Sequence, residues 1–395
     1  MKFFKVILVS FFLFQSVYSQ KNIQAEFAAI DKKALQIPED QTKSTQQIAS
    51  YISSNFSSDK DKARAVFVWV ASNISYDIEN MYSVNIHDND QDKMAKSLQT
   101  RKGICENYAN LFTDICNKAG IKSFVIAGYT KQNIQIDLLS HAWSAALIDG
   151  KWFLFDPTWG SGYVSNGKFT KKLNDKFFRV NPEVSIKTHM PFDFLWQFLE
   201  YPITNQEFYD GKIQQNKAKS KFNFKEELAV WETQTELQQV KSAAARVEKN
   251  GVLNSLIFDQ LKYLKLQAEN IQQNDIANRY NAAAASYNDG ILGYNDFINY
   301  RNRQFKPQLQ DQAIQEMIDN AEINLEKAKT ILREMPEANL STTNMIKQLR
   351  KALDDASANV AEQKTWLETY FSKGKMIRKT MFFERKATLF GIPLN

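Results

Sequence analysis

The sequence is short of cysteine, histidine, glycine and proline: 395 residues hold only 2 Cys, 3 His, 13 Gly and 8 Pro. Two cysteines are too few to staple a small secreted scaffold, which draws on several spaced pairs. On a single helix, Cys105 and Cys116 would stand ~16 Å apart at ~1.5 Å rise per residue. A disulfide needs Cα atoms within ~7 Å, so both are expected to be free thiols. With so few Cys and His, no pair has zinc-like spacing. No Gly-rich phosphate loop is visible. No metal and no cofactor are therefore expected. Charge of one sign is also lacking: 50 Lys and Arg stand against 44 Asp and Glu, a dispersed net +6 that does not suit nucleic acid. After the first 20 residues no apolar run approaches the ~20 residues of a membrane helix, so no integral membrane segment is expected.

What is present begins with a leader. Met1-Lys2-Phe3-Phe4-Lys5 is basic, Val6 to Phe14 is apolar except for Ser10, and Val17-Tyr18-Ser19 places small residues at −3 and −1. That pattern predicts a signal peptide over 1–19, cleaved after Ser19, and a secreted or periplasmic protein. Residues 20–43 are polar and mixed, and are expected to form a loosely held arm.

Ile48, Tyr51, Ile52 and Phe56 recur at helical spacing, and Ala63, Val66, Phe67, Val70 and Ala71 mark a second helix over Asp59–Asn73. Its acidic start suits a helix N-terminus. Residues 82–100 are polar, a loop or short helix. Gly103-Ile104-Cys105 then opens a helix carrying Tyr108, Leu111, Phe112, Ile115 and Cys116, stopped by Gly120. Strands are predicted at Lys122–Tyr129, His141–Ile148 and Lys151–Trp159, with Asp149-Gly150 and Asn166-Gly167 as hairpin turns. From about 216 onward Gly and Pro become rare and strand signals vanish. Met317, Ala321, Leu325, Ala328 and Leu332, then Met345, Leu349, Leu353, Val360 and Leu367, mark amphipathic helices. Tyr280, Tyr287 and Tyr294 recur every seven residues and are read as a packing seam, not a ligand site.

Chemistry concentrates in 100–160. Cys105 opens a helix, where unpaired N–H groups and the dipole favour a thiolate. Cys116, amid apolar neighbours, is read as core. A two-residue turn at Asp149-Gly150 pairs Ile148 with Lys151. His141 then faces Thr158, and Asp156 lies diagonally from His141 on the same face, within reach of ring side chains. A three-residue loop would put the two on opposite faces. An imidazole beside a carboxylate is the pairing that sets a tautomer and stabilises an imidazolium. Asp156-Pro157-Thr158 also reads as a strand-ending turn capped by Asp156. Of the other histidines, His87 lies among acidic and amide residues in a solvated loop.

These residues resemble the transglutaminase-like superfamily, in its bacterial and cytokinesis/kyphoscoliosis-peptidase branch. The matching stretches are Arg64 to Trp69, Ile74 to Asp77, Lys102 to Ala109, His141-Ala142-Trp143 and Trp152 to Gly160. Asn181-Pro182-Glu183, His189-Met190-Pro191, Trp196-Gln197 and Phe208 resemble the tail of that branch. The resemblance covers about 60–210 and implies an α+β fold with a papain/transglutaminase-like core, the cysteine helix packed on an antiparallel sheet. It implies Cys105 as nucleophile, His141 as general base and acid, and Asp156 orienting His141. Trp143, Trp159 and Tyr108 are the expected substrate-lining residues.

The domain plan is thus a transglutaminase-like domain over 44–215 followed by an all-α helical-hairpin domain over 216–395. The expected function is a secreted cysteine enzyme acting on protein or peptide amide bonds through a thioacyl intermediate, most simply by hydrolysis. Two alternatives share the same residues: a binding or scaffold protein with a vestigial site, and an amine-accepting crosslinker. The helical half is the surface expected to meet a protein partner.

Overall fold

The computed structural model describes residues 26–82, 89–132, 135–336 and 340–383, and the backbone of 388–389 and 392–393. The leader, the start of the arm and His87 lie outside the described residues. The chain divides into two compact units, 1–266 and 267–395.

The first unit is built on a four-stranded antiparallel sheet, ordered Lys151–Phe155, Gln135–Ile148, Ser123–Gln132, His189–Pro191. Asp149 and Gly150 both take positive φ, 51° and 73°, as a type I′ turn requires. The turn sets the predicted register: Ile148 pairs with Lys151 and Ser144 with Phe155. Pairing stops there. Lys151–Phe155 ends four residues before the predicted Trp159, because Pro157 opens a short helix over Pro157–Ser161. His141 and Thr158 are therefore not strand partners. The second predicted hairpin also forms, between Gly162–Ser165 and Lys168–Lys171.

Both sheet faces are covered, each by different elements. The helix Cys105–Lys118 packs on the face of Ala146, Ile148 and Phe155, where the Phe112 and Phe155 rings stack at 4.9 Å. Ser144 Oγ donates to the Ala109 carbonyl at 3.1 Å and so locks strand to helix. Behind this helix lie Thr45–Asn55 and Asp59–Asn73, each started by a serine: Ser44 Oγ accepts from Gln47 N, and Ser58 Oγ from Asp61 N. Asp90–Thr100 resolves the polar segment as a helix, capped by Asn89. The opposite face, with Ile126, Trp143, Ala145 and Leu154, packs on Leu195, Phe198 and Leu228.

The expected loose arm is corrected over its described part. Residues 26–34 are helical, and Phe27, Ala34 and Ile37 are buried in the core. Arg64 explains why. Its guanidinium is fully buried, and Asp31 accepts from it twice at 2.7 Å while Asp175 accepts at 2.6 Å. A buried cation needs such partners, so the arm is drawn in by charge as well as by apolar area.

Composition changes near 216, but the compact units part elsewhere. Phe224–Thr233 and Glu236–Lys249 belong to the first unit, where Arg246 donates twice to buried Asp193 at 2.8 Å. The division falls inside the helix Ser255–Asn302. In the second unit, Ile314, Ile318, Ala321, Leu325 and Leu332 of Asp311–Arg333 pack with Leu349, Leu353, Val360 and Leu367 of Leu340–Ser372. Tyr280, Tyr287 and Tyr294 lie partly buried along this cluster, as a seam. Among the described residues no helix is long and apolar enough to cross a membrane.

Candidate active site

Asp156 is the hub. It stands where the strand Lys151–Phe155 ends, and its two oxygens do different work. Oδ1 accepts from the backbone N–H groups of Thr158 and Trp159 at 2.9 and 3.0 Å, capping the short helix. Oδ2 faces His141 Nε2 at 2.8 Å. The two readings open for Asp156, helix cap and histidine partner, therefore both hold, one on each oxygen. Four contacts saturate a fully buried carboxylate, which fixes its orientation.

Oδ2 has a second partner that sequence reasoning did not assign. His189 Nε2 lies 3.1 Å from it, and Thr188 Oγ1 lies 2.8 Å from His189 Nδ1. The position is set by pairing of His189–Pro191 with the middle of the sheet, Thr130 opposite His189. The only signals were that the sequence has three histidines and that His189-Met190-Pro191 resembles the branch tail.

Cys105 is the first residue of its helix and partly exposed, whereas Cys116 is buried and its thiol is pushed well up by burial. Ile104 N donates to Asn107 Oδ1 at 2.9 Å, holding the turn before the thiol. The helix covers the face opposite Trp143, but strand pairing has already ended at Ser144 and Phe155. Beyond that level the strand carrying His141 stays paired only on its other side, His141 opposite Gly128. There the Cys105 side chain stands close enough to the His141 ring to raise its pKa. Nε2 being held by Asp156, the ring nitrogen left for Cys105 is Nδ1.

The charges follow from this arrangement. Burial pushes His141 down, but the charge and hydrogen bond of Asp156, followed by those of Cys105, push it up to about 10. Burial pushes Asp156 up, yet His141 and then His189 hold it well below the usual carboxylate range. Burial pushes His189 down, and with His141's charge this outweighs the pull of Asp156, leaving it below its ordinary value. Two cations on one oxygen would repel, and the two rings are accordingly pushed in opposite directions. Burial and then the Cys105 charge push the nearby Tyr76 phenol up to about 12.

Of the expected lining residues only Trp159 is partly exposed, with its ring 5.5 Å from His141. Trp143 is buried behind His141, ring to ring at 6.1 Å. Tyr108 is wholly buried and donates to the Ile74 carbonyl at 2.7 Å. Both support the site from within; neither presents a surface to substrate. His141, Asp156 and His189 also offer ligand atoms within 4.8 Å of one another, the grouping among the described residues with the composition of a metal centre. Each measured contact there is a hydrogen-bond length, and Thr188 already engages the far nitrogen of His189.

Residues 46–157 match the transglutaminase-like superfamily. The kyphoscoliosis peptidase of Mus musculus is 34% identical over 160 residues, covering 38% of this chain and 24% of that protein. Hillarin of Drosophila melanogaster is 25% identical over 203 residues, covering 46% of this chain and 24% of that protein. A solved structure of a TGase is 20% identical, covers 42% of each chain and superposes with a TM-score of 0.24. The chain thus spans about a quarter of the length of these curated relatives. Residues 46–157 are a transglutaminase-like domain, within an α+β core followed by a large helical region.

Proposed function

We propose that this chain is an exported cysteine enzyme that hydrolyses protein or peptide amide bonds through a thioacyl intermediate. The observation that carries the reading is the 2.8 Å contact of His141 Nε2 with a saturated, buried Asp156, on a ring whose pKa Cys105, first residue of its helix, lies near enough to raise. The Cys105 thiolate attacks the amide carbonyl carbon, and the carbonyl electron pair moves to oxygen. On collapse the C–N bond breaks and the His141 imidazolium gives its Nδ1 proton to the leaving amine. Neutral His141 next takes a proton from water as that water attacks the thioester. The C–S bond then breaks, the carboxylic acid leaves and the thiolate–imidazolium pair is restored. Cys105's own N–H, in the unpaired first turn of its helix, suits the oxyanion. Asp156 holds the ring upright and offsets its charge throughout.

The test is cleavage of casein by the full chain, read as new amino termini, alongside incorporation of a labelled primary amine. Cleavage that disappears in Cys105→Ala supports hydrolysis. Amine incorporation without cleavage would reassign the enzyme to crosslinking, and neither activity would favour a binding protein. The leader pattern supports export, which predicts Gln20 as the first residue of the extracellular or periplasmic form.

A further inference from the structure

We propose that His189 is a positioning residue of this site: a neutral imidazole whose Nε2–H holds Asp156 Oδ2 and thereby aims the carboxylate at His141. The inference rests on the reading of Cys105, His141 and Asp156 given above, and adds a fourth side chain to it.

The argument starts from what Asp156 needs. Oδ1 is occupied by two backbone N–H groups, so the carboxylate can pivot only about the contacts made by Oδ2. His141 alone is a poor anchor, since the ring changes charge at Nδ1 during the chemistry and the strength of its Nε2–H contact with Oδ2 changes with it. His189 supplies a second contact, at 3.1 Å, that no proton transfer disturbs. Asp156 Oδ2 can only accept, so its contact places a proton on Nε2; Thr188 Oγ1, 2.8 Å from Nδ1 and 3.4 Å from the Ser185 carbonyl, donates to the nearer Nδ1 in the neutral ring proposed here.

The ring cannot swing away. It is buried, with the Trp159 ring edge-on at 4.8 Å and the Trp143 ring edge-on at 5.1 Å. Its strand runs antiparallel to Thr130, Tyr129 and Gly128, so the backbone is held as firmly as the side chain. No substrate-facing role fits a ring so enclosed. A purely structural histidine has no need to spend its one donor on the oxygen already shared with His141.

Two measurements on the full chain test this. Nitrogen NMR of ring-labelled histidine at neutral pH should show His189 with one proton, on Nε2, and His141 with protons on both nitrogens, assigned through H189Q and H141Q. A His189 carrying its proton on Nδ1, or on both nitrogens, overturns the proposal. The second is the rate of Cys105 alkylation by iodoacetamide, measured against N-acetylcysteine. His189→Leu should slow it about 10- to 100-fold, the range for losing a hydrogen bond to a buried charge. His189→Gln, which keeps an N–H near the Nε2 position, should return it to within about threefold of wild type. Equal rates in wild type and H189L, or H189Q as slow as H189L at equal thermal stability, overturn it. Should H189L not fold, the wild-type NMR decides: a His189 Nε2 without its proton overturns the proposal. A wild-type Cys105 no faster than N-acetylcysteine would sink the nucleophile reading instead, leaving the NMR result to decide His189.

Discussion

His141 Nε2 and Asp156 Oδ2 meet at 2.8 Å although their strands stop pairing at Ser144 and Phe155, before either residue is reached. Asp156 leaves the strand as a helix cap and turns its second oxygen back toward the ring. The contact is thus made by a hairpin that ends at the right place.

Removing the Asp156 charge should disable the ring while leaving its volume filled. Asp156→Asn is expected to drop His141 from about 10 toward or below its ordinary value, and amide cleavage by about 100-fold or more. A histidine NMR titration and an activity assay on the same variant check both. An unmoved titration would show that Asp156 is not what charges His141.

The same pair makes stability depend on pH in a definite direction. The folded value of His141 lies above its unfolded ~6.5, so its contribution is whole below that and disappears as pH rises through about 10. Asp156 is depressed, so its contribution is present above ~3.9 and is lost as pH falls through its low folded value. His189, also depressed, adds stability above ~6.5 that is lost on acidification. Urea unfolding midpoints of the wild type should therefore fall between about pH 7 and pH 10.5 more steeply than those of His141→Gln. Parallel curves would contradict the assignment.

Arg64 anchors the N-terminal helix to the core, away from the chemistry. Arg64→Ala leaves Asp31 and the fully buried Asp175 without their cation and is expected to cost about 3–5 kcal/mol in chemical denaturation. A cost under about 1 kcal/mol, the size of a surface pair, would argue against the buried network.

Gly128 should tolerate no side chain. A Cβ there would stand 2.2 Å from the Met190 carbonyl oxygen and 2.4 Å from the Trp143 ring. Gly128→Ala is expected to push the His189–Pro191 strand off the sheet, costing about 1–3 kcal/mol and slowing Cys105 alkylation. A thermal melt and a labelling rate on one preparation test the two effects together; alkylation at the wild-type rate would separate the strand from the site.

Local rules carried the sequence reading as far as local rules reach. Asp149-Gly150 demands positive φ at two successive residues, and once that turn is fixed the period of the strand places His141 and Asp156 on one side. The helix starts at Asp59 and Cys105 and the tyrosine seam follow in the same way from spacing along one element. The end of the strand at Phe155 was less legible, because Trp159 continues an apolar pattern that Pro157 interrupts.

What only the tertiary structure decided is pairing across long stretches of chain. His189 reaches Asp156 from 33 residues away through a strand on the far side of the sheet, and Asp31 reaches Arg64 across the same separation. Trp143 and Tyr108 look alike in sequence to any aromatic at a cleft, but packing buries them, and the first unit runs on to residue 266 because Arg246 binds Asp193. Turn chemistry and period travel with the chain and can be read from it. Which buried charge finds which partner depends on the closing of the core, where desolvation makes each unpaired group costly and leaves few arrangements standing.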